Sequence, residues 1–195
     1  MRPEPLPQAF YARAAVAVAR DLLGRLVVST VGGGRCVARI VEVEAYTGPR
    51  DPASHAAGWH RSARNAAMYG PPGHAYVYFT YGMHWCLNVV TRRAGYPSAV
   101  LVRALEPLEG LDLMRRRRGV AADPLLTSGP ARLTQALGIS RALDGHPLDR
   151  APLWIGAGEV VAPKRRRAAT RIGIRRATER LLRFYERDNP FVSRR

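Results

Sequence analysis

The run Cys36–Tyr46 limits the fold more than any other segment, because it reads as one long strand with period-two alternation. Strict alternation puts Ile40, Glu42, Glu44 and Tyr46 on one face and Val37, Arg39, Val41, Val43 and Ala45 on the other. Two carboxylates beside an aromatic are unusual on a strand that otherwise looks buried, since Glu is depleted in strands and rarely fully buried without a partner. Two readings stay open. The face is either wet or neutralised by arginines, or one Glu is a general base or electrostatic stabiliser of the kind that cleaves bonds at a sugar's anomeric carbon.

Further strands are expected around it. Residues 26–30 form a hairpin with 36–46 across Gly32-Gly33-Gly34, residues 74–79 pair with 84–91, and 98–104 runs on into Glu106-Pro107. Short strands are expected at 153–155, 171–174 and 183–185. Phe10, Ala14, Val18 and Leu22 recur at i+4 with Ala15 and Leu23 beside them, which predicts one amphipathic helix closed by Gly24. A second helix is expected over 108–117, running into the cations 115–118, and a third from Ser128 as N-cap through Pro130 to Leu137. Residues 47–73, rich in Gly, Pro, His and Arg, read as a long loop of the kind that often carries function, and 164–167 as an exposed basic loop. Strands and helices intermix without a βαβ rhythm. The expected class is α+β: a single mixed domain over 1–195, with a curved antiparallel sheet, surrounding helices and a protruding hairpin.

Charge narrows the partner. Thirty-one Lys and Arg against 15 Asp and Glu give +16, a surplus that favours a polyanion through steering and counterion release. Cys36 and Cys86 fit neither a disulfide framework nor a zinc site, and His55, His60, His74 and His84 match no metal-loop spacing, so no metal is expected. No signal peptide or membrane helix is readable, which makes the cytoplasm, around the nucleoid, the default expectation.

Tyr76 and Tyr78 point one way on their strand, while Tyr81 sits beside Gly82 where the chain reverses. A tyrosine on a reversal tip is poorly placed for a core and well placed to wedge into a base stack. Tyr46 and Tyr78 are the better candidates for stacking on an extruded base. Phe79, and in part Tyr76, fit sheet packing, and Met68 and Met83 fit core filler.

These segments form an ordered set. It comprises Ile40-Val41-Glu42-Val43-Glu44-Ala45-Tyr46, Gly48-Pro49, Asp51, His55, Arg64-Asn65, Met68, Pro72-Gly73 and Tyr76-Val77-Tyr78. It continues through Tyr81-Gly82-Met83, Cys86-Leu87-Asn88, the run from Leu101 to Pro107, Ser128-Gly129-Pro130, Leu133, Arg171-Ile172-Gly173 and Arg183-Phe184-Tyr185. The set resembles the 3-methyladenine DNA glycosylase family of the alkyladenine (mammalian) type, here as a bacterial member, over residues 8–193. The resemblance implies an enzyme that flips alkylated or deaminated purines from double-stranded DNA and hydrolyses the N-glycosidic bond without metal or cofactor; a monomer is the separate expectation. Glu44 would activate the attacking water and Arg103 help to hold it. Tyr46 and Tyr78 would sandwich the base, His55 would contact it from the side, and Asn88 would line the floor and reject the amino group of guanine. Tyr81 would intercalate.

Two other functions remain in play at this point. A non-catalytic basic binder would leave Glu44 among tyrosines unexplained. A lyase working through a Lys Schiff base would have only Lys164 to use, inside the basic run and far in sequence from the pocket motifs.

Overall fold

A computed structural model describes residues 3–193. Two short helices, α1 (Gln8–Tyr11) and α2 (Ala15–Leu22), precede strands β1 (Leu26–Ser29) and β2 (Cys36–Tyr46). A long connection with 3-10 turns at Ala57–Trp59 and Ala66–Tyr69 leads to β3 (Ala75–Thr80), β4 (His84–Val90) and β5 (Ala99–Glu109). Helices α3 (Leu111–Arg118), α4 (Pro124–Thr127) and α5 (Pro130–Leu137) follow, and β6 (Asp149–Arg150), β7 (Leu153–Gly156), β8 (Arg166–Ala169) and β9 (Arg183–Glu186) complete the chain. All pairings are antiparallel, in the order β3-β4-β5-β2-β1-β7-β6, with β9 joining β2 to β8. The expected α+β class and antiparallel sheet are what the chain adopts.

The main core lies between one sheet face and the helices. Val18, Ala19 and Leu22 of α2 and Leu133, Ala136 and Leu137 of α5 pack against Ile40, Val43, Ala45, Val77, Leu87, Val89, Val100, Val102 and Leu105. That list corrects the strict alternation expected for β2. Ala38 and Ile40 face the core together with Val43 and Ala45, whereas Val41 packs on the opposite face with Ala104 and Val192. The cause is a break in register: Ile40 lies opposite Leu105, Glu42 opposite Ala104 and Val43 opposite Val102, so Val41 and Arg103 are each left without a partner. A bulge of this kind re-aims side chains. Glu42, Glu44 and Tyr46 therefore share their face with Arg103, away from the main core.

Other departures have equally local causes. The first helix is interrupted at residues 12–14, where the Arg92 N–H donates to the carbonyls of Tyr11 and Arg13 at 3.0 and 3.1 Å. Gly24 does not cap α2: at φ +89° its N–H donates to the Ile40 carbonyl, and a Cβ there would stand 1.9 Å from the Glu159 carbonyl oxygen. Strand β5 runs on to Glu109 because Pro107 falls at a register irregularity, where its missing donor costs the ladder little. Gly129 rather than Ser128 caps α5, and the Ser128 hydroxyl turns back to the Pro124 carbonyl. Residues 171–174 form no strand, while β8 (166–169) begins inside the stretch 164–167 expected as loop.

Candidate active site

On the outer face of β2–β5, opposite the core, a cavity of about 580 Å³ opens between β2, β3, β4 and β5, the 47–73 connection, the start of α5 and residues 172–176. Cross-strand pairing assembles its floor: Asn88 lies opposite Tyr76 on one side and Leu101 on the other. The buried Asn88 side-chain amide donates to the Tyr76 carbonyl at 3.0 Å, which fixes its rotamer.

Glu44 is fully buried beside the wall formed by Tyr46, Arg103 and Ile172. Its Oε1 accepts the Ile172 N–H at 2.7 Å and lies 3.3 Å from Arg103 Nη1, while Oε2 accepts the Tyr46 hydroxyl at 2.9 Å. Burial pushes its pKa above the usual carboxylate range, against the pull of Arg103, the Ile172 N–H and the Tyr46 hydroxyl. Each carboxylate oxygen can accept two hydrogen bonds, so Oε2 retains acceptor capacity. Glu42, two residues away, is committed otherwise. It meets Arg183 at 3.0 Å and Arg103 Nε at 3.4 Å, and accepts the Ser193 N–H at 2.7 Å. Of the two readings of the carboxylate face, neutralisation by arginine therefore describes Glu42.

The aromatic walls carry arginines of their own. The Arg171 guanidinium lies 4.7 Å from the Tyr46 ring centre, and that of Arg64 lies 5.3 Å from Tyr78. His55 meets Tyr78 edge-on at 4.6 Å, and its Nδ1 is 2.7 Å from the Tyr76 hydroxyl. Burial, reinforced by Arg64, lowers the His55 pKa and favours a neutral ring. Tyr46, His55, Tyr78, Asn88 and Arg103 thus line one cavity, Glu44 adjoins it, and Tyr81 stands at its rim.

Several residues take part in the site beyond what their sequence context shows. Tyr76 is sheet packing and more, because its ring sits among Ala56, Met68, Val90 and Ala99 while its hydroxyl orients His55. Asp51 and Arg171, 120 positions apart, form a fully buried bidentate pair at 2.5 and 2.8 Å. Arg171 also donates to the Ala45 carbonyl, and Asp51 accepts from the N–H groups of Thr47 and Ala53. The pair ties the end of β2, the His55 connection and the segment bearing Ile172 into one unit.

At the tip of the β3–β4 hairpin, Tyr81 and Gly82 both adopt positive φ, +51° and +67°, and the Met83 N–H returns to the Thr80 carbonyl. Such turns favour Asn-Gly, so a tyrosine there holds a strained conformation that throws its ring outward, 82% exposed. Met83, expected in the core, is 68% exposed beside it, and Phe79 is partly exposed against Trp85 at 4.7 Å.

The cations sort by partner. Arg115 binds Asp112 and Asp123, Arg117 the carbonyls of Val31 and Ala136, and Arg118 Gln135 and the Leu125 carbonyl. Three of the four cations in that run are thus taken up by neighbouring groups, and Arg116 is exposed. Arg64, Arg132, Arg175 and Arg176 instead line the cavity mouth, exposed and in no ion pair among the described residues. Lys164 is exposed and does not line the cavity.

The methylpurine-DNA glycosylase family profile matches residues 9–190. A protein of Carboxydothermus hydrogenoformans, provisionally named a 3-methyladenine DNA glycosylase, is 48% identical over 97% of this chain and 99% of its own length. Similarly named proteins of Methanoculleus marisnigri and Rhizobium meliloti are each 50% identical, over 97% and 95% of this chain and 99% and 95% of their own lengths. With a match running almost from end to end, the chain belongs to the methylpurine-DNA glycosylase family of DNA-repair enzymes.

Proposed function

We propose that the protein is a monofunctional glycosylase that extrudes an alkylated or deaminated purine from duplex DNA into this cavity and hydrolyses its N-glycosidic bond. The observation that carries the reading is Glu44, a buried carboxylate with a raised pKa and spare acceptor capacity, beside an aromatic-lined cavity. Glu44 takes a proton from water as the water oxygen attacks the anomeric carbon. The carbon–nitrogen bond breaks, its electron pair leaves with the base, and an abasic site remains. Arg103 holds the water and keeps Glu44 ionised. Tyr46 and Tyr78 flank the base, His55 and Asn88 bound its edges, and Tyr81 fills the vacated stack.

The discriminating experiment is base release from duplexes that each carry one lesion, followed by borohydride treatment. Free base should appear with strands intact until alkali is added, and no protein should be trapped on DNA. A trapped adduct at Lys164 or at the terminal amine would overturn the hydrolytic reading in favour of a lyase.

Binding and extrusion should separate. Each phosphate contact releases roughly 0.9 counterion, so exchanging Arg175 and Arg176 for Gln should flatten the salt dependence of affinity by up to about two units while flipping per bound complex stays intact. Tyr81→Ala should leave that slope alone and weaken the fluorescence of a 2-aminopurine beside the lesion, least opposite a mismatch, where unpairing already costs less. A Tyr81→Ala protein that flips normally removes the wedge from the mechanism.

A further inference from the structure

The segment that carries Arg64 is anchored at its root and free at its head. Asn65 accepts the Ser62 N–H at 2.7 Å, and its amide donates to the carbonyls of His55 and His60, both at 2.9 Å. Arg64 itself is exposed, has no carboxylate partner among the described residues, and reaches into the cavity until its guanidinium lies 5.3 Å from the centre of the Tyr78 ring. Its charge is felt by the groups that surround the space, lowering the pKa of His55 and opposing the upward shifts of Tyr76 and Cys86.

A guanidinium is planar, weakly hydrated and well suited to aromatic faces. It therefore competes for the same kind of contact as a purine, since both cation–π and base stacking draw on the ring face. Resting on the reading of the cavity as the seat of an extruded purine, we propose that Arg64 is a specificity-determining residue: its guanidinium holds the stacking place on Tyr78 until a base displaces it, and its charge selects against cationic bases relative to neutral ones. A neutral purine exchanges one stacking partner of Tyr78 for another. A cationic purine enters a cavity that already contains Arg103 and must also do so beside the departing guanidinium. Once displaced, that guanidinium finds its nearest compensating charge on the DNA backbone. The exposed head and fixed root suit such an exchange.

The test has two arms. Single-turnover base release is compared on duplexes containing 7-methylguanine, whose nucleotide is cationic, and hypoxanthine, whose nucleotide is neutral. Arg64→Gln should raise the cationic-to-neutral rate ratio on the order of tenfold, the effect of removing one unit charge a few ångströms away in a partly solvated site. Arg64→Lys keeps the charge and should keep the ratio near that of the unaltered protein. The second arm needs no turnover. The Arg64 side-chain protons, identified by their loss in Arg64→Lys, should be ring-current shifted in the free protein, and Tyr78→Leu or saturation with an uncleavable lesion duplex should abolish that shift. An unchanged ratio in Arg64→Gln, or Arg64 signals that ignore Tyr78→Leu, overturns the inference while leaving the glycosylase reading standing. If the unaltered protein releases neither base, the glycosylase reading fails and takes this inference with it.

Discussion

Glu44→Gln is expected to bind lesion-bearing DNA as tightly as the unaltered protein and to release base at least about a hundredfold more slowly in a single turnover, the scale of a lost general base. The isosteric amide can still accept from the Ile172 N–H through its carbonyl, so the site keeps its shape while losing its proton acceptor. A pH profile adds a second signature. Only ionised Glu44 can take a proton, and burial raises its pKa, so release should fall as pH drops through a point above the ordinary carboxylate range. That acid limb should vanish in Glu44→Gln. The sign for stability is opposite to that for activity. Because the folded-state pKa exceeds the unfolded one, the group's contribution to stability is fully present at low pH and is lost as pH rises through the folded value. Glu44→Gln should therefore melt no lower than the parent at neutral pH. Retention of most activity would remove Glu44 from the chemical step. Glu42→Gln should do the converse, lowering the melting temperature more than the rate, because Arg103, Arg183 and Ser193 all converge on that carboxylate.

The second large effect is expected away from the reacting atoms. Arg171→Met or Asp51→Ala leaves a fully buried charge without its bidentate partner, a loss of about 3–5 kcal/mol. For a chain of this length that corresponds to a fall in melting temperature on the order of 10 °C. The double variant should cost less than the sum of the two, since each single change strands the other charge. At temperatures where the single variants remain folded, base release should still fall. The Ile172 N–H that holds Glu44 and the Arg171 plane behind Tyr46 both belong to the unit this pair fastens. Additive losses, or full activity in the folded variants, would show that the pair neither couples nor positions.

Strands β1 to β5, β7 and β9 were legible in the sequence, and the hairpins around Gly32–Gly34 and Gly82 were legible from turn chemistry, whereas the alternating Ile172 and Ile174 suggest a strand that does not form. The two-residue mismatch between β2 and β5 was not, because a bulge has no residue signature of its own and alternation counted along one strand cannot register what its partner does. The break after Tyr11 was hidden for a related reason: its cause is the N–H of Arg92, distant in sequence. Among site residues, Glu42 and Glu44 stood out together as carboxylates on an apolar strand, with Glu44 singled out by the resemblance, and Tyr81 stood out as an aromatic on a reversal. Tyr46, His55, Tyr78, Asn88 and Arg103 were placed together chiefly by the ordered resemblance. Ile172 contributes a backbone donor, which every residue but proline possesses, so nothing in its side chain marks it. The arginines are sorted only by the fold. Within the dense run, Arg115, Arg117 and Arg118 are occupied by Asp112, Asp123, Gln135 and backbone carbonyls, whereas the cations at the cavity mouth are scattered along the chain.

The unpaired residues Val41 and Arg103 bear on how such a site can arise. Register on either side of them is in step, with Ile40 opposite Leu105 and Val43 opposite Val102, so the two irregularities cancel. The core-facing series of both strands passes through uninterrupted, while the outer face gains a supernumerary side chain on each strand, one of them the guanidinium that reaches Glu42 and Glu44. Chemistry has been let into the middle of a sheet without altering what the interior packs against. The hydrophobic half of the sheet and the half that bears the site are thus separate surfaces of the same two strands.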